Sequence, residues 1–307
     1  MDTPPHDSPQ SPATTDDAAR TRIAALSCWR GPITVEPLPG GLTNRNHLVH
    51  DGARRFVVRL TADSALHDID RAAERAATQA AERAGLGPAV LHAEPGALVL
   101  AHIPGRTLTP ADLAAPATLR AVIDLLRRVA DSMPSLYVGA ARDRRPTSVL
   151  AAYQTVIEAQ ASDPWRRRAA RFAPAVEQLA ALPEPPPAFV HGDIHAGNIL
   201  DDGERFWLVD WEYAGLGVVG QDLASLVANG PATEPDRFAE AALVAWLGRP
   251  PGVEDRRALW HGLLGATLRD LFWGFAQASI DEELAASDYL SINERRVLTV
   301  LDHLYRV

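Results

Sequence analysis

Hydrophobic and polar positions along the chain change period several times, and each change predicts an element. From Ile33 to Leu60, short apolar runs stand between turn residues: ITVEPL, a Gly-Gly turn, HLVH, a DG turn and RFVVRL. β-Branched and aromatic residues between such breakers predict a small antiparallel meander. From Asp63 or Ser64, either able to cap a helix, Leu66, Ile69, Ala73, Ala76, Ala77 and Ala80 recur at helical spacing as far as Gly85. One helix is expected there. PAVLHAEP and ALVLAHIPG then predict two strands joined by a turn, and Pro104 with Gly105 breaks the pattern. The boundary between lobes is placed at that break, with residues 21–103 before it and 104–307 after it. Beyond it LRAVIDLLRRVADSM, VLAAYQTVIEAQA and RFAEAALVAWLG repeat at helical spacing. One strand-rich segment, led in by PEPPP at 183–187, is set among them.

Length supports the division, because single cores stop growing near 250 to 300 residues and the chain has 307. The two lobes are expected to share one cleft. The opening MDTPPHDSPQSPATTDDAAR has too few apolar residues to offset its ordering entropy, so residues 1–20 are read as a flexible tail. No apolar run approaches the roughly 18 residues of a membrane span, and the N-terminus lacks a basic-then-apolar signal. A cytoplasmic protein with no membrane partner is expected. The single cysteine, Cys28, has no partner and reads as a small buried hydrophobe. A net charge of −9 argues against nucleic acid and is compatible with a cationic small substrate.

Candidate chemistry is concentrated in HGDIHAGNILDDGERFWLVDWEYAG, residues 191–215. Asp202 and Gly203 favour a turn between GNIL and RFWLVDW, so the hairpin returns Asp210 to the neighbourhood of Asn198. Two carboxylates and an amide oxygen are hard donors that suit Mg²⁺ better than zinc. His191, Asp193 and Asn198 also stand at the H-x-D-x-x-x-x-N spacing of a phosphotransfer loop. In that loop the Asp accepts the substrate hydroxyl proton and the Asn holds a metal, and Asp210 supplies the second metal ligand, a carboxylate. His191 is read as orienting the loop and His195 as exposed. Singly, Asp193 reads as a turn cap and Asn198 as a left-handed turn residue; the joint spacing makes the case.

These motifs resemble the aminoglycoside phosphotransferase and choline kinase superfamily of small-molecule kinases, from about Leu38 onward. The resemblance implies an α+β, protein-kinase-like two-lobed fold, with a small N-lobe antiparallel sheet plus helix and a larger, mostly helical C-lobe. It implies ATP and Mg²⁺ as cofactors. GGLTNRNHLV resembles the nucleotide loop of the choline, ethanolamine and thiamine kinase branch, which assigns Gly40, Gly41, Thr43, Asn44 and Asn46 to nucleotide. Arg59 takes the place of the phosphate-binding lysine, with Glu74 as its partner. The alternative for Glu74 is a surface pair with Arg71 or Arg75. Ala101, His102 and Ile103 are placed at the hinge facing adenine, and Asp222 braces the active-site loops.

For the acceptor, RDLFWGFAQASI is similar to the helix by which choline kinases present rings to a quaternary ammonium. Trp273 matches its first tryptophan, Ala276 stands at the second with Phe275 beside it, and Tyr289 is the next aromatic. Asn229 replaces an acidic residue, and Glu212, Tyr213 or the run Asp281, Glu282, Glu283 are left to supply contacts. The implied activity is phosphorylation of a cationic amino-alcohol, with thiamine or an antibiotic as alternative acceptors. A protein kinase is disfavoured by the absence of GxGxxG and A-P-E, and a non-catalytic pseudokinase by the intact Asp193, Asn198 and Asp210 set.

Overall fold

The apolar runs expected to be strands do form one sheet in the computed structural model, which describes residues 12–38 and 45–306. Gly40, Gly41, Thr43 and Asn44 lie outside the described residues. Strands β1 (Ile33–Leu38), β2 (Arg45–Asp51), β3 (Arg54–Leu60), β4 (Val90–Glu94) and β5 (Ala97–Ala101) pair antiparallel in the order β1-β2-β3-β5-β4. One face buries Val49, Phe56, Val58, Ala97 and Val99 with Ile23 and Leu26. Ile23 belongs to helix α1 (Pro12–Ala24). The tail expected over residues 1–20 is therefore helical from Pro12, and Ala19 is buried. Its run of small helix-forming residues leads directly into the two side chains that seal the sheet.

The described residues as far as Ala62, together with Ala89–His102, make up this first unit; Asp63–Pro88 and Ile103–Val307 make up the second. Helix α2 (Arg71–Arg83) opens the second unit at Asp70, whose carboxylate accepts from Ala72 N at 2.8 Å and Ala73 N at 3.0 Å. The helix expected from Asp63 or Ser64 thus starts later. Ser64 and Ile69 bond each other's backbones at 3.0 and 2.9 Å, and Asp68 adopts φ 51°, which no right-handed helix accommodates. Only the alanines from Ala73 onward follow the helical phase, and Gly85 at φ 64° ends it.

The rest of the second unit is helical around one core. Helix α3 (Pro116–Leu136), α4 (Pro146–Gln160), α5 (Asp163–Ala170), α6 (Ala173–Ala180), α7 (Gln221–Ala228), α8 (Pro235–Leu247), α9 (Val253–Ala278), α10 (Glu282–Ala286) and α11 (Tyr289–Arg306) make up this part. Helix α9 packs against α4, α7 and α11 and is the axis of the core. No described helix is long and apolar enough to cross a membrane.

Four short strands position the motif segment. β7 (Pro187–Val190) enters it and pairs antiparallel with β10 (Gly215–Val218), which leaves it, Val190 opposite Gly215. Between them β8 (Ile199–Asp201) pairs with β9 (Phe206–Leu208), and β6 (Arg106–Thr107) flanks β8. The turn spans residues 202–205, wider than a two-residue hairpin. The Asp202 carboxylate closes it by accepting from Glu204 N and Arg205 N, each at 2.8 Å, and Gly203 takes φ 91°.

Candidate active site

Both ends of residues 191–214 are fixed by the β7–β10 pair, and buried polar groups fix the interior. Asp222, in the first turn of α7, accepts from His191 N at 2.8 Å and Gly192 N at 3.0 Å. Burial raises its carboxyl above the usual range, although His191 and these two N–H groups pull the other way. Gly192 adopts φ 83°, and a Cβ there would collide with Tyr213 O, so only glycine lets the two stretches meet. His191 is fully buried. Its Nδ1 accepts from Asp193 N at 3.3 Å and its Nε2 lies 3.0 Å from Val209 O. A carbonyl only accepts, so the ring is the Nε2–H tautomer, and burial keeps it neutral.

Asp193 then projects into a set of polar partners. Asn198 Nδ2 donates to its Oδ2 at 3.1 Å and to its backbone O at 3.0 Å. Arg269, from α9, approaches Oδ1 at 3.2 Å, donates to Gly192 O and holds Asp270 Oδ1 at 2.7 Å. His195 is half-buried, not exposed; its Nδ1 accepts from Gly197 N at 3.0 Å and its Nε2 stands 3.6 Å from Asp193 Oδ2. Burial alone would raise the Asp193 carboxyl, but His195 and Arg269 outweigh it and hold the group well below the ordinary range. The reciprocal effect raises His195 despite its own burial.

Val209 N donates to Asn198 O at 3.0 Å, which brings the residue after Val209 back beside the loop. That residue, Asp210, is held at φ 69°, a conformation non-glycine residues adopt at a cost of about 1–3 kcal/mol. Its carboxylate gathers with those of Glu74 and Glu212, one oxygen of each lying within 4.8 Å of the others. Arg71 donates to Glu74 at 2.7 Å and to Glu212 at 2.8 Å, and both carboxylates are buried. The pair of Glu74 with Arg71 is therefore internal, not a surface pair, and Glu212 shares Arg71 with it. The donor set fits a hard divalent cation: oxygen ligands gathered around Asp210, with neither cysteine nor histidine among the three.

Among the other expected residues, Asn46 and Arg59 stand opposite each other on β2 and β3, with Arg59 Nε donating to Asn46 Oδ1 at 3.3 Å. The backbone N–H groups of Ala101 and His102 are engaged by Ala89 O and Arg55 O, at 2.9 and 3.2 Å. Ile103 begins the second unit's long segment. Trp273 is half-buried, donates through Nε1 to the Tyr213 hydroxyl at 3.2 Å, and lies 5.5 Å from the Tyr289 ring. Phe275 does not join them: it is fully buried and packs with Phe172 and Phe272 in the core. Helical phase is the reason, since two positions along α9 turn a side chain away from Trp273's face. Asp281 caps α10 through Leu284 N at 3.0 Å, and Asn229 accepts from Arg296 at 3.3 Å.

Residues that sequence reasoning missed are Arg269, Arg71 as a bridging cation, and His67, Tyr153 and Gln277 around Trp273. Arg269 and Asp270 precede LFWGF and carry no spacing signal of their own; Tyr153 reads as one more apolar-face residue of α4.

Comparison with known proteins identifies the family. Residues 34–260 match the family model described as a phosphotransferase enzyme family. A viomycin phosphotransferase of Streptomyces vinaceus is 33% identical over 149 residues, covering 44% of this chain and 51% of that protein. A thiamine kinase of Escherichia coli is 37% identical over 70 residues, covering 22% and 25%. The chain thus spans about half the length of the first of these curated relatives and a quarter of the second. The structure of a choline/ethanolamine kinase family protein from Mesorhizobium loti superposes with TM-score 0.69 at 26% identity, covering 94% of each chain. Loop, hairpin and family match together place this chain in the phosphotransferase enzyme family that includes such small-molecule kinases.

Proposed function

We propose that the chain transfers the γ-phosphoryl group of ATP to a hydroxyl of a small amino-alcohol, with Mg²⁺ as cofactor. The observation that carries this reading is the convergence of Asp193, Asn198 and Asp210 at one end of the β8–β9 hairpin. Asp193, held ionised, accepts a hydrogen bond from the attacking hydroxyl and aims its lone pair at phosphorus. As the new O–P bond forms, the bond from γ-phosphorus to the β,γ-bridging oxygen breaks, ADP leaves and the hydroxyl proton passes to Asp193. Arg269 and Asn198 fix the carboxylate's direction, so the rate gain comes from positioning and preorganised charge.

Asp210 and Asn198 would hold Mg²⁺, which when bound neutralises phosphate charge. Glu74 and Glu212, each with one oxygen on Arg71, complete the acidic surroundings. Arg59, Asn46 and the glycine-rich 40–44 segment are assigned to the nucleotide phosphates, and residues 101–103 to the base. Names among the relatives favour metabolic amino-alcohols and thiamine on one side and an antibiotic on the other.

The test is ADP release with Mg·ATP across ethanolamine, choline, thiamine, viomycin and aminoglycosides. Turnover with an amino-alcohol is expected, lost on Asp210→Ala through weaker Mg·ATP binding. Turnover confined to antibiotics would replace the acceptor assignment, and an unchanged Mg·ATP affinity in Asp210→Ala would remove Asp210 from the metal site.

A further inference from the structure

Beside Asp193 stands a wall of rings whose hydrogen bonds close on one another. The indole of Trp273 and the imidazole of His67, from the segment before α2, stack with centroids 5.1 Å apart and planes 20° from parallel. His67 is only 4% exposed. Its Nε2 lies 2.8 Å from Gln277 Oε1 and its Nδ1 lies 3.4 Å from the Tyr153 hydroxyl. An amide oxygen only accepts, so Nε2 carries the proton and Nδ1 accepts from Tyr153. The Tyr213 oxygen takes a hydrogen bond from Trp273 Nε1 at 3.2 Å. The direction of donation runs one way, from the Tyr153 phenol through the imidazole to Gln277. The Gln277 amide passes it to Asp281 at 3.2 Å. A second proton on His67 would turn an N–H toward the Tyr153 proton, and burial opposes it as well. The ring laid on Trp273 is a neutral one.

We infer that His67 is an acceptor-specificity residue: it covers a face of Trp273 and selects acceptors bearing N–H or O–H donors against quaternary ammonium groups. This deepens the kinase reading above and rests on it. A methylated ammonium has no donor to offer, so in a protein site its recognition depends on open aromatic faces within about 6 Å. Here that face of the best such ring is occupied. α9 supplies no second ring at this face: Phe275 is fully buried, and Ala276, which has no ring, is buried too. The phenol oxygens of Tyr213 and Tyr153, by contrast, keep lone pairs for a ligand N–H or O–H: Tyr213 accepts one bond, from Trp273, and Tyr153 donates its proton to His67. Both phenols lie close enough to Asp193 to feel its charge.

The experiment measures choline and ethanolamine binding by calorimetry, with phosphorylation followed in parallel by ADP release. It uses the native chain, His67→Ala, Trp273→Leu, and the double variant His67→Ala/Trp273→Leu. Opening the indole face in His67→Ala should tighten choline binding about tenfold, within the range of one cation–π contact, and raise the choline-to-ethanolamine affinity ratio, because the N–H donors of ethanolamine direct it to the phenol oxygens. The double variant should lose that gain. An unchanged choline-to-ethanolamine affinity ratio in a folded His67→Ala protein overturns the proposal. So does a native chain whose choline affinity falls on Trp273→Leu alone, which shows the face to be in use already and needs no His67 variant. If no acceptor is phosphorylated, the kinase reading fails, and the calorimetric ratio still decides the role of His67.

Discussion

The loop proposed as catalytic and the ring wall proposed to meet the acceptor are held by opposite means. Residues 191–198 form one short stretch clamped by the strands on either side of it and by a buried carboxylate, Asp222, and its working group is a charge. The wall is gathered from the segment before α2, from α4, the β9–β10 connection, α9 and α11, and holds itself by bonds between neutral groups. The loop's shape thus comes mainly from the chain beside it, and the wall's from tertiary packing. Acceptor specificity can then change by substitution at scattered positions without disturbing the loop.

The largest effect should come from the loop's one reacting charge. Asp193→Asn retains the size and one acceptor oxygen of the side chain but cannot take a proton. Turnover with the best acceptor should fall by about 10²–10⁴-fold, while Mg·ATP affinity measured by calorimetry stays within a few-fold. A parallel loss of both would mean that Asp193 holds the nucleotide complex together, and the division between a charged reacting half and a neutral recognising half would collapse.

Next in size is the loop's external brace. Asp222→Ala leaves the N–H groups of His191 and Gly192 without their acceptor inside the protein. Each orphaned donor costs about 1–3 kcal/mol, offset in part because a carboxylate that burial disfavours is removed. Chemical denaturation should show a net loss of about 2 kcal/mol, with kcat lowered more than KM as Asp193 loses its direction. A variant as stable and as active as the parent would show that the loop needs only its flanking strands.

The same contrast explains what could be read from the sequence. The meander, the hairpin and the convergence of Asp193, Asn198 and Asp210 are legible because each rests on neighbours in the chain: breakers between short apolar runs, an Asp-Gly turn, a fixed spacing. The start of α2 was misplaced because Leu66 and Ile69 fall in helical phase by coincidence, whereas the Ser64–Ile69 bridge and the left-handed Asp68 keep that stretch out of the helix. His67 was illegible for a related reason. Nothing around a lone histidine in SALHDID announces a tryptophan far along the chain. Phe275 was assigned to the acceptor site by adjacency, although helical phase turns it into the core.

The smallest effect tests whether the wall is neutral. Burial lowers the pKa of His67 below that of an unfolded histidine, about 6.5. Below that pH the unfolded chain binds a proton that folded His67 refuses, so stability rises with pH and this contribution falls away as pH drops through 6.5. His191, buried and neutral, contributes with the same sign. His195 contributes with the opposite sign: raised by Asp193, it stabilises fully below 6.5 and loses that effect as pH rises through its folded value. The parent's pH profile mixes all three, so the readout is a difference. Urea unfolding at pH 7.5 and 5.5 should show His67→Phe, which keeps a ring on Trp273 but cannot titrate, losing less stability on acidification than the parent. The gap is bounded by about 1.4 kcal/mol per pH unit. Equal losses in the two proteins would mean that folded His67 takes up the proton as readily as the unfolded chain does. The wall would then carry a charge against Trp273, and the division between a charged loop and a neutral wall would give way to two charged halves facing each other across the acceptor.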